Sequence, residues 1–378
     1  VTNRLAEARC VVIKIGSALL VDAKNAALRH HWLNTVCEDI ARLRRQGTDV
    51  VVVSSGAIAL ARLRMGMVGR RLRLEEKQAA ASVGQIQLAQ AWSAALGLQD
   101  LTAGQLLLTP GDTEDRERHL NARATLRTLL GLGCVPVINE NDAIATTEIR
   151  FGDNDRLAAR VAQMIGADTL ILLSDIDGLY TADPRLDPRA EHLPEVAALT
   201  ESIMAMGGAP PPGYSSGGMH TKLLAAQIAT RAGARMAIAS GLSPHPISQL
   251  LDTGRCTWFL AAEDAGSARK RWLASALETR GRVMIDQGAV RALDHGGSLL
   301  PAGVKQVEGR FSQGDLVVIC DEAGQEIGRG LTAYDADESR LIAGHRSEDI
   351  VTCLGHSGLD ELIHRDDLVL IRQPREPA

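Results

Sequence analysis

Residues 134–156, CVPVINENDAIATTEIRFGDNDR, decide the fold: an apolar strand runs into two clusters of carboxylates and amides about ten residues apart. Asn139, Glu140, Asn141 and Asp142 leave the strand end. Gly152, Asp153, Asn154 and Asp155 open a helical pattern that continues through Leu157, Ala158, Ala159, Val161 and Ala162. In an open α/β sheet, ligands bind at the carboxyl ends of strands, so the two clusters are expected to face one crevice that takes a small polar substrate. The alternative is a turn followed by a helix cap, because Asp153 or Asn154 would cap a helix in any protein.

Outward from this stretch, strands alternate with helices. Residues 10–15 (CVVIKI), 49–53, 105–108, 169–173, 235–240 and 256–260 read as strands, and residues 30–46, 74–96, 115–132 and 223–232 as helices. The pattern predicts an α/β fold with a largely parallel sheet covered by helices on both faces. Lys14 is the anomaly of the first strand. A lysine in an apolar strand is costly to bury unless an anion meets it, which favours a functional role over a snorkelling stem. Ser54-Ser55-Gly56-Ala57 turns from strand to helix, where a serine either caps the helix or binds a carboxylate or phosphate. Ser215-Ser216-Gly217-Gly218-Met219-His220-Thr221-Lys222 is a second Gly-rich turn feeding a helix, and Lys222 adds a full charge to it.

A chain of 378 residues exceeds one comfortable core, so two domains are expected: 1–262, a linker over 263–280, and 281–378. From Gly281 onward ten Lys and Arg face seventeen Asp and Glu, a net −7 that leaves +2 on the rest and supports a boundary there. Short apolar runs at 283–285, 316–319, 341–343 and 368–371, separated by Gly and Asp turns, predict a small β-rich barrel in this tail. The basic run Arg269-Lys270-Arg271 in the linker reads as a solvated face. No apolar run is long enough to cross a bilayer and no leader pattern opens the chain, so a cytoplasmic protein with no membrane contact is expected. Six scattered cysteines lack zinc spacing and read as buried thiols.

The commonest nucleotide motifs are missing. No GxGxxG follows a strand, and no Gly-Lys dipeptide occurs, which excludes a Walker A loop. Any phosphate site is therefore built differently. Of six lysines, Lys14 and Lys222 sit where a strand end and a helix start could converge, with Asp155 to hold them. Compact ammonium groups suit a transferring phosphoryl group, whose catalysis is mostly positioning and charge stabilisation.

The segments VVIKIGSALL, VVVSSGAIA, PVINENDA, GDND, SDIDGLYTADP and GGMHTKL, in this order and spacing, resemble the glutamate 5-kinases of the amino acid kinase family. The match runs through about residue 260, and the tail resembles a PUA domain. The resemblance implies an amino acid kinase-like sandwich plus a PUA-like barrel. It also implies ATP-dependent phosphorylation of the L-glutamate side-chain carboxylate, feedback inhibition by proline, a homo-oligomer (a tetramer), and a partner glutamyl-phosphate reductase. Carried over by position, Lys14 and Lys222 would stabilise the transferring phosphoryl group with Asp155 orienting them. Ser55, Asp142 and Asn154 would bind glutamate. Lys14, Ser174, Asp175, Ser216, Gly217, Gly218, Met219, His220, Thr221 and Lys222 would bind ATP. Mg2+ is expected as counter-charge to the phosphates, but no carboxylate set identifies itself as its ligands. The family's Gly-rich turn usually reads GTGGM before a small residue, so His220 is a departure. Rival readings are a sister kinase acting on another carboxylate or a nucleotide, and an RNA-binding protein; the −7 tail argues against RNA.

Overall fold

In the computed structural model, which describes residues 4–22, 27–67, 69, 72–144, 154–208, 218–262, 267, 279–356 and 358–371, the run Cys10–Ile15 (β1) is the central strand of an eight-stranded sheet. The other strands are Asp49–Val53 (β2), Ala103–Leu108 (β3), Val135–Glu140 (β4), Thr169–Ser174 (β5), Glu195–Val196 (β6), Arg235–Ser240 (β7) and Thr257–Phe259 (β8). Their order is β6-β8-β7-β5-β1-β2-β4-β3. The six strands from β7 to β3 are parallel neighbours, and β8 joins β7 antiparallel. The largely parallel sheet expected from the alternation is thus present.

Strand parity divides the core. Val11, Ile13 and Ile15 pack with Val50 and Val52 against Leu33, Val36 and Ile40 of helix His30–Arg45 (α1) and against Leu88 and Trp92 of the long helix that begins at Leu74. Val12 packs on the other face with Val51, Val53, Leu170 and Leu172. That face is covered by helices Asn154–Ile165 and Met219–Arg231, through Leu157, Ala158, Val161, Leu223 and Ala226. Successive strand residues point to opposite faces, so Lys14 shares the side of Val12 and of these two helices. Between β1 and its neighbours the sheet changes direction of growth, because β2 lies on one side of β1 and β5 on the other. This switch point is where the carboxyl ends of strands leave a crevice.

By internal contacts the chain divides into two units, Val1–Ala265 and Gly266–Ala378. The second contains Gly281–Ile285 (β9), Val304–Gly309 (β10), Leu316–Cys320 (β11), Glu326–Leu331 (β12) and Leu368–Leu370 (β13), in the order β10-β9-β11-β12-β13. The expected run at 341–343 is not a strand. Leu341 and Ile342 end a helix, Ala336–Ile342, started by a capping box in which the Asp335 carboxylate accepts from Glu338 N–H and Glu338 accepts from Asp335 N–H. The cap fixes the helix, and Ile342 is buried on its inner face.

All six cysteines are free, and Cys37, Cys256 and Cys320 are fully buried while the other three are partly so. Burial pushes the Cys10, Cys37 and Cys256 thiols up to about 12. Among the described residues no helix is long and apolar enough to cross a membrane.

Candidate active site

Five strand ends build the site. β1 ends at Ile15 and turns at Gly16; β2 leads into Ser54 and Ser55; β4 carries Asn139 and Glu140; β5 ends at Ser174; β7 ends beside it, with Ser240 opposite Ser174. Gly56 holds φ +112, a conformation that L side chains rarely adopt, and starts helix Ala57–Arg64 (α2) close against Val21. The helices that complete the site are Leu74–Gly97 (α3), Asn154–Ile165 (α5, with Arg116–Gly131 as α4 before it) and Met219–Arg231 (α6).

Three charges meet at the floor. Lys14 Nζ lies 2.6 Å from Asp155 Oδ1, and Lys222 Nζ donates to Asp155 Oδ2 at 3.0 Å. Thr221 Oγ1 is 3.0 Å from the same Oδ2 and 2.8 Å from the Gly218 carbonyl, which ties the first turn of α6 to the carboxylate. Lys14, Asp155 and Lys222 are 7%, 2% and 6% exposed, so no side chain of the three is solvated by bulk water. Burial alone would raise the Asp155 carboxyl, but the ammonium groups of Lys14 and Lys222 outweigh it and hold the group well below the ordinary carboxylate range. Two cations sharing one anion leave this end with about one net positive charge.

A second polar knot sits beside it. Asn154 Nδ2 points to Ser55 Oγ at 2.7 Å, Asn139 Oδ1 at 3.1 Å and the Ser54 carbonyl at 3.2 Å, while Asn154 Oδ1 is buried with no hydrogen-bond partner among the described residues. Asn139 donates to Gln85 at 2.7 Å, and Trp92 Nε1 donates to Ser54 Oγ at 2.9 Å, so α3 fixes the knot from behind. Asn154 and Asp155, adjacent at the start of α5, thereby serve different neighbours: the first reaches the β2 and β4 ends, the second the lysines.

Two cavities open on these groups. One, of about 400 Å³, is lined by Lys14, Ser55, Asp142, Asn154 and Lys222, and also by Arg62 and Lys77. The other, of about 450 Å³, is lined by Tyr180, Pro184, Arg185, Gly218 and Met219. They share Ser174, Asp175 and Lys222. Ser174 Oγ donates to Asp175 at 3.1 Å, and Arg185 pairs with Asp175 at 2.8 Å. Such a joined pair can hold two reactants end to end, with Lys222 at the junction.

The residues expected from the sequence therefore fall into three groups. Lys14, Ser55, Asp142, Asn154, Ser174, Asp175 and Lys222 line the first cavity; Gly218 and Met219 line the second; Asp155 and Thr221 stand behind the lining and connect it. His220 lines neither cavity, and its Nδ1 is buried without a hydrogen-bond partner among the described residues. Ser216 and Gly217, with Gly152 and Asp153 of the second polar cluster, lie outside the described residues. Sequence reasoning missed Arg62 and Lys77. Both sit in stretches that read as ordinary solvated helix, and no spacing signal marks them.

The family model of the amino acid kinase family matches residues 9–240, and that of the PUA domain matches residues 281–354. The chain is 68% identical over 367 residues to the glutamate 5-kinase of Gluconobacter oxydans (strain 621H), covering 97% of each chain. It is 56% identical over 366 residues to the glutamate 5-kinase of Paramagnetospirillum magneticum (strain ATCC 700264 / AMB-1), covering 97% of this chain and 99% of that one. Among solved structures it is similar to the carbamate kinase from Giardia lamblia bound to AMP-PNP, at 16% identity and a TM-score of 0.49, covering 68% of this chain and 99% of that one.

Proposed function

This chain belongs to the amino acid kinase family, among its glutamate 5-kinases, and from that membership and the site's chemistry we propose that it transfers the terminal phosphoryl group of ATP to the side-chain carboxylate of L-glutamate. The product is L-glutamyl 5-phosphate, and the reaction is the first step of proline biosynthesis. A carboxylate oxygen of glutamate attacks the terminal phosphorus; the bond from phosphorus to the bridging oxygen breaks, and ADP leaves with the electron pair. No proton transfer is needed, which agrees with a floor built of ammonium groups rather than of a general base.

The observation that carries this reading is the convergence of Lys14 and Lys222 on Asp155 at the junction of two cavities. In this reading the glutamate lies over Ser55, Asp142 and Asn154, and the nucleotide runs from Ser174 and Asp175 along the Gly-rich turn, Ser216 to Lys222, with His220 inside it. Lys14 and Lys222 stabilise the phosphoryl oxygens as charge builds on them, and Asp155 keeps both ammonium groups in place. Asn154 Oδ1, buried and without a partner among the described residues, offers an acceptor to the substrate.

Among the described residues no cluster of three His, Cys, Asp or Glu could hold a metal ion. Among the described residues, both Asp155 oxygens face lysines and Asp175 is engaged by Ser174 and Arg185. In this reading Mg2+ would enter on the triphosphate and offset its charge, held mainly by phosphate oxygens and water. Feedback inhibition by proline, a tetramer, hand-over of the labile product to a glutamyl-phosphate reductase and a cytoplasmic location belong to the same reading, and the family resemblance supports them. We assign the reaction to 1–262 and no RNA-binding role to 281–378, whose net charge of −7 repels phosphates.

Hydroxylamine trapping tests the proposal. Acyl phosphate is expected with ATP and glutamate, and little with aspartate, N-acetylglutamate or UMP; equal turnover of any of these would defeat it. In the same assay Lys222→Ala is expected to lower kcat by on the order of a hundredfold or more, with a much smaller change in KM for glutamate.

A further inference from the structure

The acceptor cavity carries two separate electrostatic centres. At the floor, Lys14 and Lys222 share the Asp155 carboxylate. The second centre is Asp142, half-buried after β4; Lys77 of α3 lines the same cavity, and among the described residues its field opposes the effect of burial on the Asp142 carboxyl. Arg62, near the end of α2, lines the same cavity. A carboxylate beside an ammonium is the complement of an α-amino acid head, whose single α-carbon bears an ammonium and a carboxylate. The floor is already committed to the phosphoryl group and the reacting carboxylate, so a second carboxylate on the substrate needs a second cation.

We propose that Lys77, backed by Arg62, binds the α-carboxylate of the acceptor while Asp142 takes its ammonium, and that this pair makes the enzyme select an α-amino acid over the ω-amino acid that lacks only that carboxylate. The inference rests on the reading of the site as a glutamate kinase and adds specificity residues to it. Helix α3 places Lys77 about two turns before Gly84, and at Gly84 it packs against Ala57 at the start of α2, so the two helices that carry the cations are locked to each other. Lys77 and Arg62 are therefore held in register with each other and with the cavity wall formed by Ala57, Ile58 and Ala59.

The test removes the interaction from both sides. 4-Aminobutyrate is glutamate without its α-carboxylate and keeps the ammonium and the reacting carboxylate. The ratio of kcat/KM for glutamate to that for 4-aminobutyrate is measured by hydroxamate trapping in the wild type, Lys77→Gln, Lys77→Arg and Arg62→Gln. Where 4-aminobutyrate turns over too slowly, its Ki against glutamate replaces its kcat/KM. In Lys77→Gln the ratio is expected to collapse by on the order of ten- to a hundredfold, through KM for glutamate, with KM for ATP unchanged. Lys77→Arg, which keeps the charge, is expected to restore most of the preference, and Arg62→Gln to lose a smaller part of it. An active wild type whose ratio survives in Lys77→Gln overturns this inference alone and leaves the α-carboxylate to the N–H groups at the start of α2. A wild type that forms no hydroxamate with glutamate overturns the kinase reading along with it.

Discussion

Asp155 shows how much one side chain can decide. Its carboxylate is the shared anion of two buried ammonium groups, and its replacement by an amide would leave two cations without a counter-charge in a nearly dry floor. Breaking a buried pair in this way costs about 3–5 kcal/mol, so Asp155→Asn is expected to lower the melting temperature by on the order of 10 °C at neutral pH. The acid side gives the sign. Because the folded carboxyl titrates below its ordinary value of 3.8, the stability it contributes is complete above that value and is lost as pH falls through the lower, folded one. The stability gap between wild type and variant should therefore narrow from about pH 5 to about pH 3 in urea melts. A gap that stays constant over that range would mean that Asp155 is not the charged partner. Asp142 behaves in the opposite sense. Burial pushes its carboxyl up to about 6, against the opposing field of Lys77. If the ionised form receives the substrate ammonium, kcat/KM for glutamate should fall about tenfold per pH unit below about 6, and Asp142→Asn should lack that limb. At this scale Lys14 was legible in the sequence, because a lysine in an apolar strand demands a partner. Lys77 was not, because a lysine after two glutamates at a helix start looks like any solvated face.

At the scale of elements, the contact of α2 with α3 sets the width of the acceptor cavity. A Cβ on Gly84 would stand 1.8 Å from the Ala57 carbonyl oxygen, which is backbone and cannot rotate away. Gly84→Ala must therefore push α2 outward, at a cost of about 1–3 kcal/mol. Since Ala57, Ile58 and Ala59 line the cavity, KM for glutamate should rise more than KM for ATP. Steady-state kinetics with each substrate varied in turn checks this, and an equal rise in both would place the strain elsewhere. The sequence reading had Gly84 inside a helical pattern without a reason for it; the reason is a close helix crossing, which periodicity within one helix does not encode. The misread run at 341–343 has the converse cause. Three apolar residues look alike in a strand and at a helix end, and the deciding signal, the Asp335 and Glu338 capping box, lies upstream of them.

For the molecule as a whole, composition and pattern fixed the class early. Alternating strands and helices in the first unit, β-rich runs in the second, and a change of net charge near Gly281 were all local properties of the chain. Two-residue alternation put Lys14 on one face of β1, and helix starts put Asp155 and Lys222 at the amino ends of α5 and α6. Those facts are determined by neighbours in sequence, so the sequence by itself contained them, and the ordered motifs added the family. What only the tertiary structure decided is which local features meet. The order β5-β1-β2-β4 inserts the first strand between the second and the much later fifth, and this brings α5 and α6 together over it. Sheet order is chosen by the burial of both faces at once, a sum over the whole core, so no window of sequence could have brought Lys77 and Asp142 to one cavity or set Gly84 against Ala57.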